Sequence, residues 1–114
     1  MLRVTYRRTS VLLTGDVESE GESLLQSSHF ALSSQILKVA HHGSASSTSP
    51  RFLAKVSPEA AIVSVGEGNP WGHPSREVLD RLRHRGVPVN RTDEEGAVQW
   101  VSDGRRWKHG LPVP

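Results

Sequence analysis

The chain contains no cysteine. That excludes disulfide staples, thiolate zinc sites and a thiol nucleophile, so any metal site has to be built from His, Asp or Glu. Aromatic residues are scarce, at 5%, which leaves aliphatic side chains to carry the core. No apolar run approaches the roughly 18–20 residues that span a bilayer. The opening Met1-Leu-Arg-Val-Thr-Tyr6 alternates like a strand and lacks the apolar stretch of a secretory signal. An excess of one charge is lacking too: a formal net charge of +2 does not by itself mark a nucleic-acid binder. What is present is 114 residues, enough for one small domain or part of a larger one, and six His.

The charges cluster even though they nearly cancel. Basic groups gather at Arg7-Arg8, at Arg81, Arg83 and Arg85, and at Arg105-Arg106-Trp107-Lys108. Acids gather between Asp16 and Glu22 and between Asp93 and Glu95. Such clusters read first as solvated faces and second as surfaces for a polyanion.

Hydrophobic periodicity organises the chain as β-β-α-β-α-β-α-β-β-β. Leu2, Val4 and Tyr6 alternate with polar residues, and Val11 to Leu13 reads as a hairpin partner. Glu18 to Ser27 predicts a short helix with Leu24 and Leu25 facing inward. Gln35 to Ala40 is a short strand, and Pro50 suits the first turn of a helix capped by Thr48 or Ser49. Ala60 to Val65 predicts a strand buried on both faces. Ser75 to Arg85 predicts a helix with Val78, Leu79 and Leu82 on one side, closed by Gly86. Val87 to Asn90 is a strand, Ala97 to Val101 and Arg105 to His109 flank a hairpin turn, and 110–114 reads as a flexible tail.

Three loops each follow an apolar strand. In Leu12-Leu-Thr-Gly-Asp16 the glycine permits a tight turn and the carboxylate can take a divalent ion. In Lys38-Val-Ala-His41-His42-Gly43-Ser44, neutral imidazole suits transition metals. On an extended backbone the two rings point to opposite faces. The pair therefore reads either as one ligand with a substrate-contacting or acidic neighbour, or as a polar loop with solvent-facing rings. Gly66-Glu-Gly-Asn69-Pro-Trp-Gly-His73-Pro74 leads into a helix N-terminus, where an anion can bind, but matches neither a dinucleotide fingerprint nor a Walker loop. If the three strands run parallel in one sheet, their carboxyl ends share one edge, the edge at which ligands bind in open α/β sheets. His29, His84 and His109 lack partners at ligand spacing, and Trp100 and Trp107 read as packing residues of the terminal hairpin.

Taken in order, these motifs, with Arg91-Thr92-Asp93 and Gly96-Ala97-Val98, resemble the C-terminal metallo-β-lactamase-fold domain of ComEC-type DNA-uptake (competence) proteins over roughly Val11 to Val101. The resemblance implies an α/β fold, the C-terminal half of a metallo-β-lactamase αββα sandwich truncated at its N-terminus, with residues 1–114 as a partial domain. It implies a metal-dependent phosphodiester hydrolase, a DNA nuclease linked to DNA uptake, incomplete as an isolated chain. Asp16 and His41 carry over as metal ligands, His42 and His73 as catalytic residues, and Ser44 and Asn69 as phosphate contacts. The implied cofactor is a divalent metal, Zn or Mn, with one or two ions in the complete domain. The implied partners are DNA or another phosphodiester substrate and a chain carrying the missing N-terminal half. The expected location is that of a soluble fragment whose family domain is attached to a bacterial inner-membrane channel protein. The His-x-His-x-Asp-His element of that fold is not in this sequence. Two alternatives accompany this reading: an inactive fragment or partner-docking module, and a phosphorylcholine esterase-like hydrolase of the same fold.

Overall fold

A computed structural model describes residues 1–110. Strand β1, Leu2–Tyr6, forms a hairpin with β2, Thr9–Leu13, and three parallel strands follow beside it: β3, Ile36–Lys38; β4, Ala60–Val63; and β5, Val89–Arg91. The order is β1-β2-β3-β4-β5, antiparallel only at the first pair. The architecture is therefore mixed α/β around a mixed sheet. Helices α1, Ser19–Gln26; α2, Pro50–Val56; and α3, Arg76–His84, connect the parallel strands.

Sequential parallel strands joined by right-handed crossovers place their helices on one face of the sheet. The core lies there. Leu12, Leu37, Ala61 and Val63 of the sheet pack with Phe52, Leu53 and Val56 of α2 and Val78 and Leu82 of α3. The helix starts are local: Ser49 and Ser75 accept from the backbone N–H of Phe52 and Val78, each the N-cap contact that a helix start otherwise lacks.

The opposite face is covered only in part. A second sheet of β6, Gln99–Ser102, and β7, Trp107–Gly110, lies against it. The Trp100 indole donates to Asn90 Oδ1 at 3.1 Å, and the Thr9 and Ser102 hydroxyls meet at 2.6 Å. Ile36 and Ala60 are buried there, whereas Leu2, Val4 and Leu13 stay exposed.

The expected element order holds with two additions, a 3-10 turn over Ala40–Gly43 and a one-turn helix α4, Thr92–Glu95. The inward placement of Leu24 is corrected: it is 71% exposed, and only Leu25 packs on the core. Glu22 takes the buried position on α1 and accepts from the backbone N–H groups of Thr48 and Ser49. Its carboxylate joins α1 to the start of α2, which an apolar side chain could not do. Gly110, expected to open the tail, ends β7, and 111–114 lie outside the described residues. No helix among the described residues is long and apolar enough to cross a membrane.

Candidate functional site at the carboxyl edge of the sheet

Because β2, β3 and β4 are parallel, the loops after them meet on one edge. The first two are stitched together through their backbones. His41 N–H donates to Gly15 C=O at 2.9 Å, Ser19 N–H donates to Ser46 C=O at 3.0 Å, and the Thr14 hydroxyl donates to Lys38 C=O. The third loop is tied on by Ser75 N–H, which donates to Gly43 C=O at 2.8 Å.

The tandem histidines do not continue the strand. His41 (φ 50°, ψ 47°) and His42 (φ 53°, ψ 23°) are both left-handed, and Gly43 follows at φ +86°. Each non-glycine residue in this region costs about 1–3 kcal/mol, and such strain persists where surrounding contacts impose it. The turn brings the rings onto one edge instead of opposite faces. Their centroids are 6.3 Å apart, and the His73 ring comes within 5.9 Å of His41 from the third loop.

Hydrogen bonds select the ring nitrogens. His42 Nδ1 lies 2.6 Å from Ser64 C=O. A carbonyl only accepts, so Nδ1 carries the proton and Nε2 is left as an acceptor. His41 Nδ1 lies 2.5 Å from Glu18 Oε1. The His41 ring, followed by the Ser46 hydroxyl, holds the Glu18 carboxyl below its ordinary range. A carboxylate on Nδ1 is the usual way to orient an imidazole for work at Nε2. Glu18 was missed in the sequence, where it reads only as the start of a helix. No spacing rule links it to His41.

Asp16 is exposed on the Gly15 turn and makes no hydrogen bond among the described residues. The Ser44 hydroxyl is paired with that of Ser46 at 2.9 Å. Asn69 clasps its own loop, accepting from His73 N–H at 3.0 Å and donating to His73 C=O at 2.7 Å. His73 Nδ1 is buried without a hydrogen-bond partner among the described residues. Gly43 is required by close packing: a Cβ there would lie 2.5 Å from Pro74 Cβ and 2.8 Å from Pro74 Cα.

The donor types of this edge, two imidazoles held through Nδ1 and an exposed carboxylate on the adjoining loop, suit a divalent ion. The count does not. Among the described residues no group of three or more His, Asp or Glu stands close enough to hold a metal, and a catalytic zinc uses three protein ligands and a water. The residues of this chain therefore do not by themselves fit a complete metal centre.

Several curated proteins are similar to the chain. "ComE operon protein 3" of Bacillus subtilis (strain 168) is 40% identical over 91 residues, 80% of this chain and 12% of that protein. "Competence protein ComA" of Neisseria gonorrhoeae is 42% identical over 101 residues, 88% of this chain and 15% of that protein. These two homologues of the chain are competence-related proteins. "Recombination protein 2" of Haemophilus influenzae adds 39% identity over 92 residues, 81% of this chain and 11% of that protein. The chain thus spans 11 to 15% of the length of these competence-related homologues. No protein-family model matches it.

Proposed function

We propose that the chain forms part of a phosphodiester-hydrolysing domain that acts on DNA in competence, with the scissile phosphate facing the carboxyl edge of the sheet. The observation that carries this reading is the pair of imidazoles fixed through Nδ1 with Nε2 left over, with the His73 ring 5.9 Å from that of His41 and the Asp16 loop tied to the His41 backbone through Gly15. The competence-related homologues supply the DNA context. In this reading Asp16 and His41 supply part of a metal-binding set for Zn or Mn, and the other donors lie outside this chain. His42 Nε2 accepts a proton or contacts the phosphate, and His73 lies at the substrate side. Ser44 and Asn69 act through the loops they brace. In this reading the chain is half of an αββα sandwich of the metallo-β-lactamase type, a proposal supported by the helices on one sheet face and the partly bare second face.

The test is hydrolysis of single-stranded DNA, with Mn²⁺, by the chain supplied with a polypeptide that carries the remaining metal donors. Slow hydrolysis that falls about 100-fold in Asp16→Ala and in His41→Ala is expected. Hydrolysis that is unchanged in both variants would contradict the assignment.

A second reading has its own observation. Leu2, Val4 and Leu13 leave an apolar strip on the sheet face away from the helices, as in a docking module. In that case sedimentation shows concentration-dependent association that Val4→Lys abolishes, and a sharply monomeric species contradicts it.

A further inference from the structure

At the end of the sheet opposite the histidines, the fold joins two basic clusters that are far apart in the sequence. The β1–β2 turn carries Arg7 and Arg8, and the β6–β7 turn carries Arg105 and Arg106. Arg8 N–H donates to Gly104 C=O at 2.8 Å, which locks one turn to the other. Gln35 clamps the first turn, accepting from Ser10 N–H at 2.7 Å and donating to Arg8 C=O at 3.1 Å.

Two adjoining clefts result, of about 320 and about 190 Å³. Arg3, Arg7 and Arg8 line the larger; Arg105, Arg106 and Trp107 line the smaller; Thr9, Gln35 and Glu59 are common to both. None of these five guanidiniums is in an ion pair among the described residues. Two carboxylates lie nearby, Glu59 and Asp103, and Asp103 is occupied by the backbone N–H groups of Arg105 and Arg106. An exposed aromatic ring lies next to Arg7 at the start of the same turn: Tyr6 is 48% exposed, with the Arg7 guanidinium 5.7 Å from its centroid.

We propose that this arginine-lined surface binds the phosphate backbone of a single-stranded nucleic acid, at a site separate from the carboxyl edge. Guanidiniums suit phosphate oxygens through their fixed fork of donors. Concave basic grooves with an exposed aromatic at the rim are how single strands are held without sequence preference. A lipid surface is flat and is met by protruding basic residues, whereas these arginines line clefts. The inference rests on charge and shape and does not require hydrolysis at the opposite edge.

The experiment is fluorescence anisotropy of a labelled oligothymidine with the 114-residue chain in the presence of a chelator, which separates binding from any metal-dependent reaction. Binding is expected to weaken at least about 10-fold in Arg7→Glu/Arg106→Glu. The slope of log affinity against log salt should become shallower by about 1.4, which is two phosphate contacts at about 0.7 each. Tyr6→Ala should weaken binding by about fivefold. Arg83→Ala/Arg85→Ala, at the C-terminal end of α3, should change nothing beyond the small effect of net charge. Thermal melts of each variant show that the fold is kept. The proposal is overturned by no binding at low salt, by an equal loss in the α3 variant, or by tighter binding to phosphatidylglycerol vesicles than to the oligonucleotide.

Discussion

The two ends of the central sheet are built on different physical terms. At the carboxyl edge His41, Asn69 and His73 are half-buried and Asp16 and His42 exposed, the loops that carry them are tied together by backbone contacts, and three successive residues, His41 to Gly43, take positive φ. At the far end the charged groups are long, exposed arginines on two hairpin turns, joined by a few hydrogen bonds. The first arrangement fixes individual atoms, as chemistry on a phosphate needs. The second places charge without fixing geometry, which is enough to hold a flexible polyanion.

Two glycines sharpen that contrast. Gly43 and Gly104 both have positive φ, and a Cβ at either meets a neighbour. At Gly43 the neighbour is Pro74, whose ring and backbone cannot move aside. At Gly104 the nearest atom is Cδ of the flexible Arg7 side chain, at 2.8 Å. Gly43→Ala should therefore cost about 4 kcal/mol, and Gly104→Ala about 1–2 kcal/mol, in urea denaturation. Equal losses would erase the distinction between a rigid edge and a yielding one.

Glu22 comes next in expected size. Its buried carboxylate is the acceptor for two backbone N–H groups at the entry to α2. Glu22→Ala leaves both without an acceptor and should cost about 3 kcal/mol, with Glu22→Gln costing less. A loss below about 1 kcal/mol would mean that water replaces the carboxylate.

Arg91 grips Asp93 with two hydrogen bonds, of 3.0 and 2.7 Å, beside the same edge. That guanidinium keeps the Asp93 carboxyl below its ordinary 3.8. A lowered carboxyl pKa stabilises the fold at pH above the unfolded value and loses that contribution as pH falls through the native one. Wild type should exceed Asp93→Asn by about 1 kcal/mol at pH 7, and the gap should close below pH 3.8. A constant gap across that range would contradict the ion-pair account.

The smallest effect has the opposite sign. Glycine relieves the left-handed strain at position 42. His42→Gly should raise stability by about 0.5 kcal/mol while removing the ring from the site. Destabilisation would mean that the Ser64 contact outweighs the strain.

The strands, the helices and the convergence of three loops were legible in the sequence, because period-2 and helical patterns and capping serines are local signals. The candidate site was legible as residue types at Asp16, His41, His42 and His73, but not as geometry. An extended reading of His41-His42 sends the rings apart, and only tertiary ties to Gly15, Ser64 and Ser75 turn the chain. Glu18 and Glu22 could not be told from ordinary first-turn acids, since their partners lie on another loop. Leu24 was misplaced because the helix rotates to bury Glu22. The meeting of the Arg7-Arg8 and Arg105-Arg106 clusters depends on the β6–β7 hairpin crossing the sheet, which no local pattern encodes.

The central claim is that the folded edge fixes His41 and His42 through Nδ1 and presents Nε2. Nitrogen-15 NMR of the imidazoles near pH 8, before and after adding Zn²⁺, tests it most directly. The account predicts that in both rings Nδ1 bears the proton and Nε2 does not, and that zinc shifts Nε2 of His41 in the wild type but not in Asp16→Ala. A protonated Nε2 on either ring, or a zinc shift at His41 that is indifferent to Asp16, would contradict it.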